Sequence, residues 1–202
     1  MRKSLSFIVL ILVFTTCMVW AETSKDKVTK NELTEAAVWF LEGHKTLSAG
    51  NYDEAIKCYT KAKDLDPSFT NAYFFLGNIY LKRGMLDNAI REYKKALSLR
   101  PNAAATHAKL GSAYLKKGML DEATHECKKA ISIKPNNALA HFTLGYVCYK
   151  KGNKTAADDH LYKAGMLYLK RDDVEGALEA YECLKLTNSK ELEQKLYKKL
   201  QK

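Results

Sequence analysis

Several things are scarce or missing in this 202-residue chain, and each absence removes a class of function. There is no Gly-rich loop leading into a Lys-Ser or Lys-Thr pair, so nothing is built to cradle a nucleotide phosphate. The five histidines, His44, His107, His125, His141 and His160, include no pair four residues apart and none beside a Cys-x-x-Cys, so neither a metal nor a cofactor is expected. No serine or cysteine sits in a nucleophile elbow, and none has a recognisable partnered base, which argues against an enzyme. Lysine and arginine are plentiful but not interleaved with aromatics, so nucleic acid is not an expected partner.

Proline is the scarcest feature that informs. Its three occurrences, Pro67, Pro101 and Pro135, stand 34 residues apart. Glycine keeps the same interval: Gly43, Gly77, Gly111 and Gly145 form one column, and Gly50, Gly84, Gly118 and Gly152 a second. Two alanine columns follow, Ala55, Ala89, Ala123, Ala157 and Ala62, Ala96, Ala130, Ala164. Position within a 34-residue unit therefore decides residue type, the signature of a repeat array. Between the glycine columns, apolar residues recur at helical spacing, as in Tyr73, Leu76, Tyr80 and Leu81. The second glycine follows a basic pair, where a residue of positive φ ends a helix at little cost. Another periodic segment, lined by Leu86, Ala89, Ile90, Tyr93, Ala96 and Leu97, then runs to the column proline. Each unit reads as a helical hairpin, with Gly77 expected opposite Ala89, Gly111 opposite Ala123 and Gly145 opposite Ala157.

The middle unit, Tyr73, Leu76-Gly77, Tyr80, Gly84, Ala89, Tyr93, Ala96 and Pro101, resembles the tetratricopeptide repeat family over roughly residues 32–188. The resemblance implies an all-α, right-handed solenoid with repeats at about 36–69, 70–103, 104–137 and 138–171, a partial repeat at 172–188 and a capping helix over 189–202. It also implies a concave groove lined by first helices. Carried onto this sequence, the groove positions hold Phe40 and His44, then Phe74, Asn78, Leu81 and Lys82, then Ser112, Leu115 and Lys116, then Phe142, Tyr146, Tyr149 and Lys150. An extended peptide or amphipathic helix with apolar anchors and some acidic residues would match such a surface. The alternative is that the C-terminal helices fold back and cover the fourth-unit aromatics. Of the positions with which some family members grip a chaperone's terminal carboxylate, only Asn78 matches, so that role is disfavoured.

The ends depart from the pattern. Glu42 and Thr46 replace apolar residues in the first unit, as suits an exposed N-terminal cap. The fourth unit lacks a closing proline, and its second helix also fits the first-helix pattern of a further unit through Gly165, Tyr168, Ala177 and Tyr181. A final helix carries Leu192, Leu196 and Leu200, with Asn188 and Glu191 as candidate caps.

Arg2 and Lys3, the apolar run from Leu5 to Phe14 and the close Val19-Trp20-Ala21 follow signal-peptide grammar over residues 1–21. Cleavage after Ala21 is the expectation, with an uncleaved membrane anchor as the alternative; the formal charge then falls from +10 to +8, and residues 22–31 form a polar linker. Export, to a bacterial periplasm, permits disulfides among Cys58, Cys127, Cys148 and Cys183, and a Cys127 to Cys148 bond is the candidate, although both sit at core positions. Paired cations at first-helix ends make a basic stripe of Lys82-Arg83, Lys116-Lys117, Lys150-Lys151 and Lys170-Arg171. Its simplest role is to complement helix dipoles; a second is attraction of an anionic polymer or lipid surface. The reading that unites these features is a non-catalytic scaffold for a protein or peptide partner in envelope assembly, or a membrane-anchored assembly factor if the leader stays attached.

Overall fold

The computed structural model describes residues 35–201, which are helices joined by short turns. The leader and linker, residues 1–31, lie outside the described residues. The helices are α1 (35–48), α2 (Tyr52–Leu65), α3 (Thr70–Lys82), α4 (Leu86–Leu99), α5 (Ala104–Lys116), α6 (Leu120–Ile133), α7 (Ala138–Lys150), α8 (Lys154–Leu169), α9 (Val174–Thr187) and α10 (Lys190–Leu200). The protein is all-α. The chain divides into one unit ending at Ala72 and another beginning at Tyr73.

In the first unit, α1 and α2 close on an aromatic cluster. Phe40 lies 4.6 Å from His44, 5.5 Å from Tyr59 and 5.0 Å from Phe69, ring centre to ring centre. Gly43 makes this possible, because a Cβ there would stand 2.7 Å from the Tyr59 ring. At the substituted position Thr46, the hydroxyl turns back on its own helix and donates to the carbonyls of Glu42 and Gly43.

The second unit repeats the device. A Cβ on Gly77 would meet the Tyr93 ring at 2.5 Å, one on Gly111 the Cys127 Sγ at 2.6 Å, and one on Gly145 the Leu161 Cγ at 2.8 Å. The nearest approach in each hairpin lies one turn beyond the expected glycine–alanine pair. Each glycine makes room for the large or mid-sized residue four places after the alanine, one helical turn further on. Gly111 also approaches its expected alanine, 3.3 Å from the Ala123 carbonyl oxygen. Tyr93 and Cys127 are fully buried, as are the alanines beside them.

The helix-ending turns are built alike. After α5, Gly118 takes φ +81°, its N–H donates to the Leu115 carbonyl, and the Met119 N–H reaches back to Tyr114. After α7, Gly152 and Asn153 repeat the pair of bonds on Tyr149 and Cys148. This pair of hydrogen bonds satisfies carbonyls a helix end would leave bare.

Past α7 the pattern changes. α8 packs against α7 through Leu161, and its Gly165 receives Leu196 from α10 at 2.6 Å rather than Tyr181 from α9. Tyr181 stacks instead on Tyr197, 5.7 Å away, and donates to Glu193. α9 lies close on α8, since a Gly176 Cβ would touch the Tyr168 ring. The caps expected for α10 also differ: Asn188 ends α9 in a left-handed conformation, and Ser189 is the residue before α10, its hydroxyl bonded to Asp158.

All four cysteines in the described residues are free thiols, so the Cys127 to Cys148 bond is not formed. Burial pushes the Cys127 thiol up to about 12, consistent with a small core hydrophobe. No described helix is long and apolar enough to cross a membrane.

Candidate functional site

A groove of about 1150 Å³ opens between α5, α7 and α9. α5 contributes Ser112, Leu115 and Lys116, and α7 contributes Phe142, Thr143, Tyr146 and Lys150. The spacings, three and four residues from Ser112 in α5 and four and eight from Phe142 in α7, place these side chains on one face of each helix. The third wall is α9, with Val174, Leu178, Glu175, Glu179 and Glu182. The opposite face of α9, Ala177, Ala180, Leu184 and Thr187, is buried, so packing of that face fixes which residues look into the opening.

The floor is apolar and open. Val174 and Leu178 are 53% and 47% exposed, and Phe142 and Tyr146 are half-buried. Cys183 also lines it, with burial pushing its thiol up to about 11, so it contributes neutral surface. The rims are charged with opposite signs. Lys150 sits 5.4 Å above the Tyr146 ring, close enough for a cation–π contact, and Lys116 stands near it on α5. Glu175, Glu179 and Glu182 face them from α9.

The other residues expected in the groove do not line this opening. Leu81 is buried in a core with Ala89, Ile90, Tyr93, Leu110, Ala113, Tyr114, Ala123 and Val147. Tyr149 packs on the cluster of Ala157, Leu161, Leu184 and Leu196. Phe74 packs on Phe75, 5.4 Å away, and Tyr93, 6.1 Å away, and Asn78 accepts a 2.8 Å bond from the Tyr93 hydroxyl. Phe40 and His44 belong to the aromatic cluster of the first unit. Lys82 is exposed at the end of α3. The glutamate wall is what the sequence reading lacked, and α9 also revises the fold-back alternative: it walls the groove, leaving the aromatics half-open.

The basic stripe is largely engaged with its own chain. Lys117 pairs with Asp87. Lys151 pairs with Asp121 at 2.5 Å, a bond that holds the Asp121 carboxyl below the usual carboxylate range. Arg171 donates to the Asn136 carbonyl at 2.7 Å. Arg83 and Lys170 are exposed. The two lysine pairs span equivalent positions 30 residues apart and tie neighbouring hairpins together, although exposed pairs of this kind add little stability.

Two histidines are structural. His107 Nε2 faces the Pro101 carbonyl at 2.8 Å and its Nδ1 faces Glu126 at 2.6 Å; His141 makes the matching contact to Pro135 at 3.0 Å, with His160 in place of the glutamate. Among the described residues, no group of three or more His, Cys, Asp or Glu could hold a metal ion.

A TPR repeat model matches residues 43–84, 77–118 and 113–152, together more than half of the chain. The chain belongs to the tetratricopeptide repeat family. A crystal structure of MamA protein is 25% identical, with 83% of this chain and 88% of that one covered and a TM-score of 0.65. The first TPR of Spaghetti (RPAP3), solved bound to the HSP90 peptide SRMEEVD, is 26% identical over 59% of this chain and 94% of that one, with a TM-score of 0.57. YrrB, described as a TPR protein with an unusual peptide-binding site, shares the fold at 22% identity, covering 86% and 97%, with a TM-score of 0.57. No curated protein matches. The family places the chain among protein-interaction scaffolds, and the α5, α7, α9 groove is its candidate site.

Proposed function

We propose that the chain is a non-catalytic scaffold that holds a peptide or protein partner in the α5, α7, α9 groove. The observation that carries this is the open apolar strip of Val174 and Leu178 beside Phe142 and Tyr146, a surface that exceeds what packing of this unit requires. The RPAP3 domain was solved with a peptide, which supports a peptide-binding use of the fold. The expected setting is the bacterial envelope, supported by the leader grammar of residues 1–21; a chain that keeps its leader would act there as a membrane-anchored assembly factor for a pilus or secretion machine. Binding of an anionic polymer through the stripe is less well supported, because Lys117 and Lys151 already hold carboxylates.

A photoreactive residue in place of Tyr146 in the full-length chain, expressed in cells, tests the reading. Crosslinks to one or a few proteins, lost in Phe142→Glu, are expected. Crosslinks only within the chain's own α9 and α10 would overturn it. Mass spectrometry of the recovered protein distinguishes a mature N-terminus at Glu22 from a retained leader.

A further inference from the structure

The partner's charge can be taken further than an acidic match to the lysines. α9 carries Val174 and Leu178 four residues apart, with Glu175, Glu179 and Glu182 beside them at spacings of four and three. About two turns of the helix thus show the groove an apolar strip edged by carboxylates. Glu182 is held by Lys185 at 3.0 Å, whereas Glu175 and Glu179 have no cationic partner among the described residues. Like charges four apart on a helix repel, so this pair is a cost to α9 that an arriving cation would remove.

Resting on the scaffold reading above, we infer that the groove selects an amphipathic helical segment of a partner protein, laid along α9, whose apolar stripe is flanked on that side by lysine or arginine. The spacing favours a helix over a strand. From Glu175 to Glu182 the rise is about 10 Å, one carboxylate per turn, which a second helix matches with cations at the same three- and four-residue intervals. An extended chain places same-side residues about 6.6 Å apart and is out of step by roughly 3 Å over three carboxylates. Lys116 and Lys150 take the acidic flank of such a helix and fix its rotation about its own axis.

The chain's formal charge of +10 makes the prediction discriminating. A field of that sign draws acidic peptides to the surface generally, so preference for a basic one has to come from the local glutamate wall.

The test uses the full-length chain and two fluorescein-labelled peptides of about 18 residues, roughly five helical turns, that share one leucine stripe flanked by lysine in one and by glutamate in the other. Anisotropy titrations at physiological salt should show the lysine peptide binding at least about tenfold tighter. Glu175→Lys with Glu179→Lys should reverse the order, and Leu178→Ser should weaken both peptides. Those glutamates are exposed and lie off the buried face of α9, so the variants retain the fold, which circular dichroism verifies. Equal or tighter binding of the glutamate peptide, still weakened by Leu178→Ser, overturns the charge assignment and leaves the groove as a site. Lysine-peptide binding that ignores Leu178→Ser and disappears with added salt places the contact outside the groove and overturns the inference. No binding of either peptide up to about 1 mM, an affinity near the weak limit of specific recognition, also overturns it, and the Tyr146 crosslink still decides the scaffold reading separately.

Discussion

The two regular hairpins α5/α6 and α7/α8 and the C-terminal helices α9 and α10 answer the same packing problem differently. In the regular hairpins a helix glycine receives a side chain from the helix that follows it: Cys127 enters over Gly111 and Leu161 over Gly145. At the C-terminal end Gly165 of α8 receives Leu196 from α10, two helices on, while α9 between them turns its open face to the groove. The turns differ too. Gly118 and Gly152 take the left-handed turn position after α5 and α7, but after α8 the same pair of backbone bonds, Asp172 to Leu169 and Asp173 to Tyr168, is made with Asp172 at φ +57°. The regular repeats are held by sequence columns, and the end is held by Leu196 over Gly165, by the Tyr181–Tyr197 stack and the Ser189 bond to Asp158, and by left-handed conformations its residues adopt at a cost. That difference leaves α9 free to carry surface chemistry the repeats do not.

The largest effect expected from breaking this contrast is at Leu196, which is fully buried although it belongs to the last helix. Leu196→Ala should cost about 2 to 5 kcal/mol as a buried leucine truncation. Because Leu196 is the one residue of α10 that is fully buried, hydrogen exchange should show α10 and its contact with α8 opening while α5 to α7 stay protected. Next comes Gly111→Leu, which drives a side chain into Cys127 and the Ala123 carbonyl and should cost about 1 to 3 kcal/mol in denaturant unfolding. Gly165→Ala sharpens the contrast. Its Cβ would stand 2.6 Å from Leu196 Cδ2, the far end of a flexible side chain, and alanine favours a helix by about 0.5 to 1 kcal/mol, so the net change should be near zero. A loss as large as that of Gly111→Leu would mean the two sites are packed alike.

Smaller again are the turn substitutions. Nothing lies within 4 Å of a Cβ on Gly118, so Gly118→Ala meets no clash and should cost only the left-handed backbone term, about 1 to 2 kcal/mol. Asp172→Gly removes the same term where the chain already bears it and should be neutral or raise Tm slightly, the gain being offset by the greater freedom of glycine in the unfolded chain.

The hairpins were legible because each column names a close contact or a turn, and such contacts admit few residue types. Leu81 and Leu115 show why the groove was only partly legible. Both are eleven residues into their unit, and at about 100° per residue that position lies some 100° from position twelve, at the edge of the inward arc, where Leu81 closes into the core and Leu115 lines the opening. The glutamate wall was not legible at all. α9 keeps neither column glycine nor column proline, so nothing in its sequence ties it to the groove; only the burial of Ala177, Ala180 and Leu184 sets its rotation.

The smallest expected effect concerns one column pair whose partner changes between adjacent repeats. His107 faces Glu126, and 34 residues on His141 faces His160, their Nδ1 atoms 3.0 Å apart. His141 Nε2 donates to the Pro135 carbonyl, so in the neutral ring Nδ1 is bare and accepts from His160. Protonating His141 breaks this arrangement, because its Nδ1 then carries a hydrogen aimed at the hydrogen on His160 Nδ1. Burial lowers the pKa of both groups below the ordinary 6.5, with Lys163 acting on each in the same direction. The sign follows from which state takes up protons first. As pH falls through about 6.5 the unfolded chain gains protons on these rings before the folded chain does, so the stability they contribute is intact above that pH and declines as the folded values are approached. A modest fall in Tm between pH 7.5 and 5.5 is expected. His160→Glu copies the neighbouring repeat and supplies a carboxylate that His141 can meet when charged, so it should flatten that part of the profile while leaving the Tm at pH 7.5 nearly unchanged. A profile that keeps its slope in His160→Glu would place the acid sensitivity elsewhere and make the two repeats equivalent at this position.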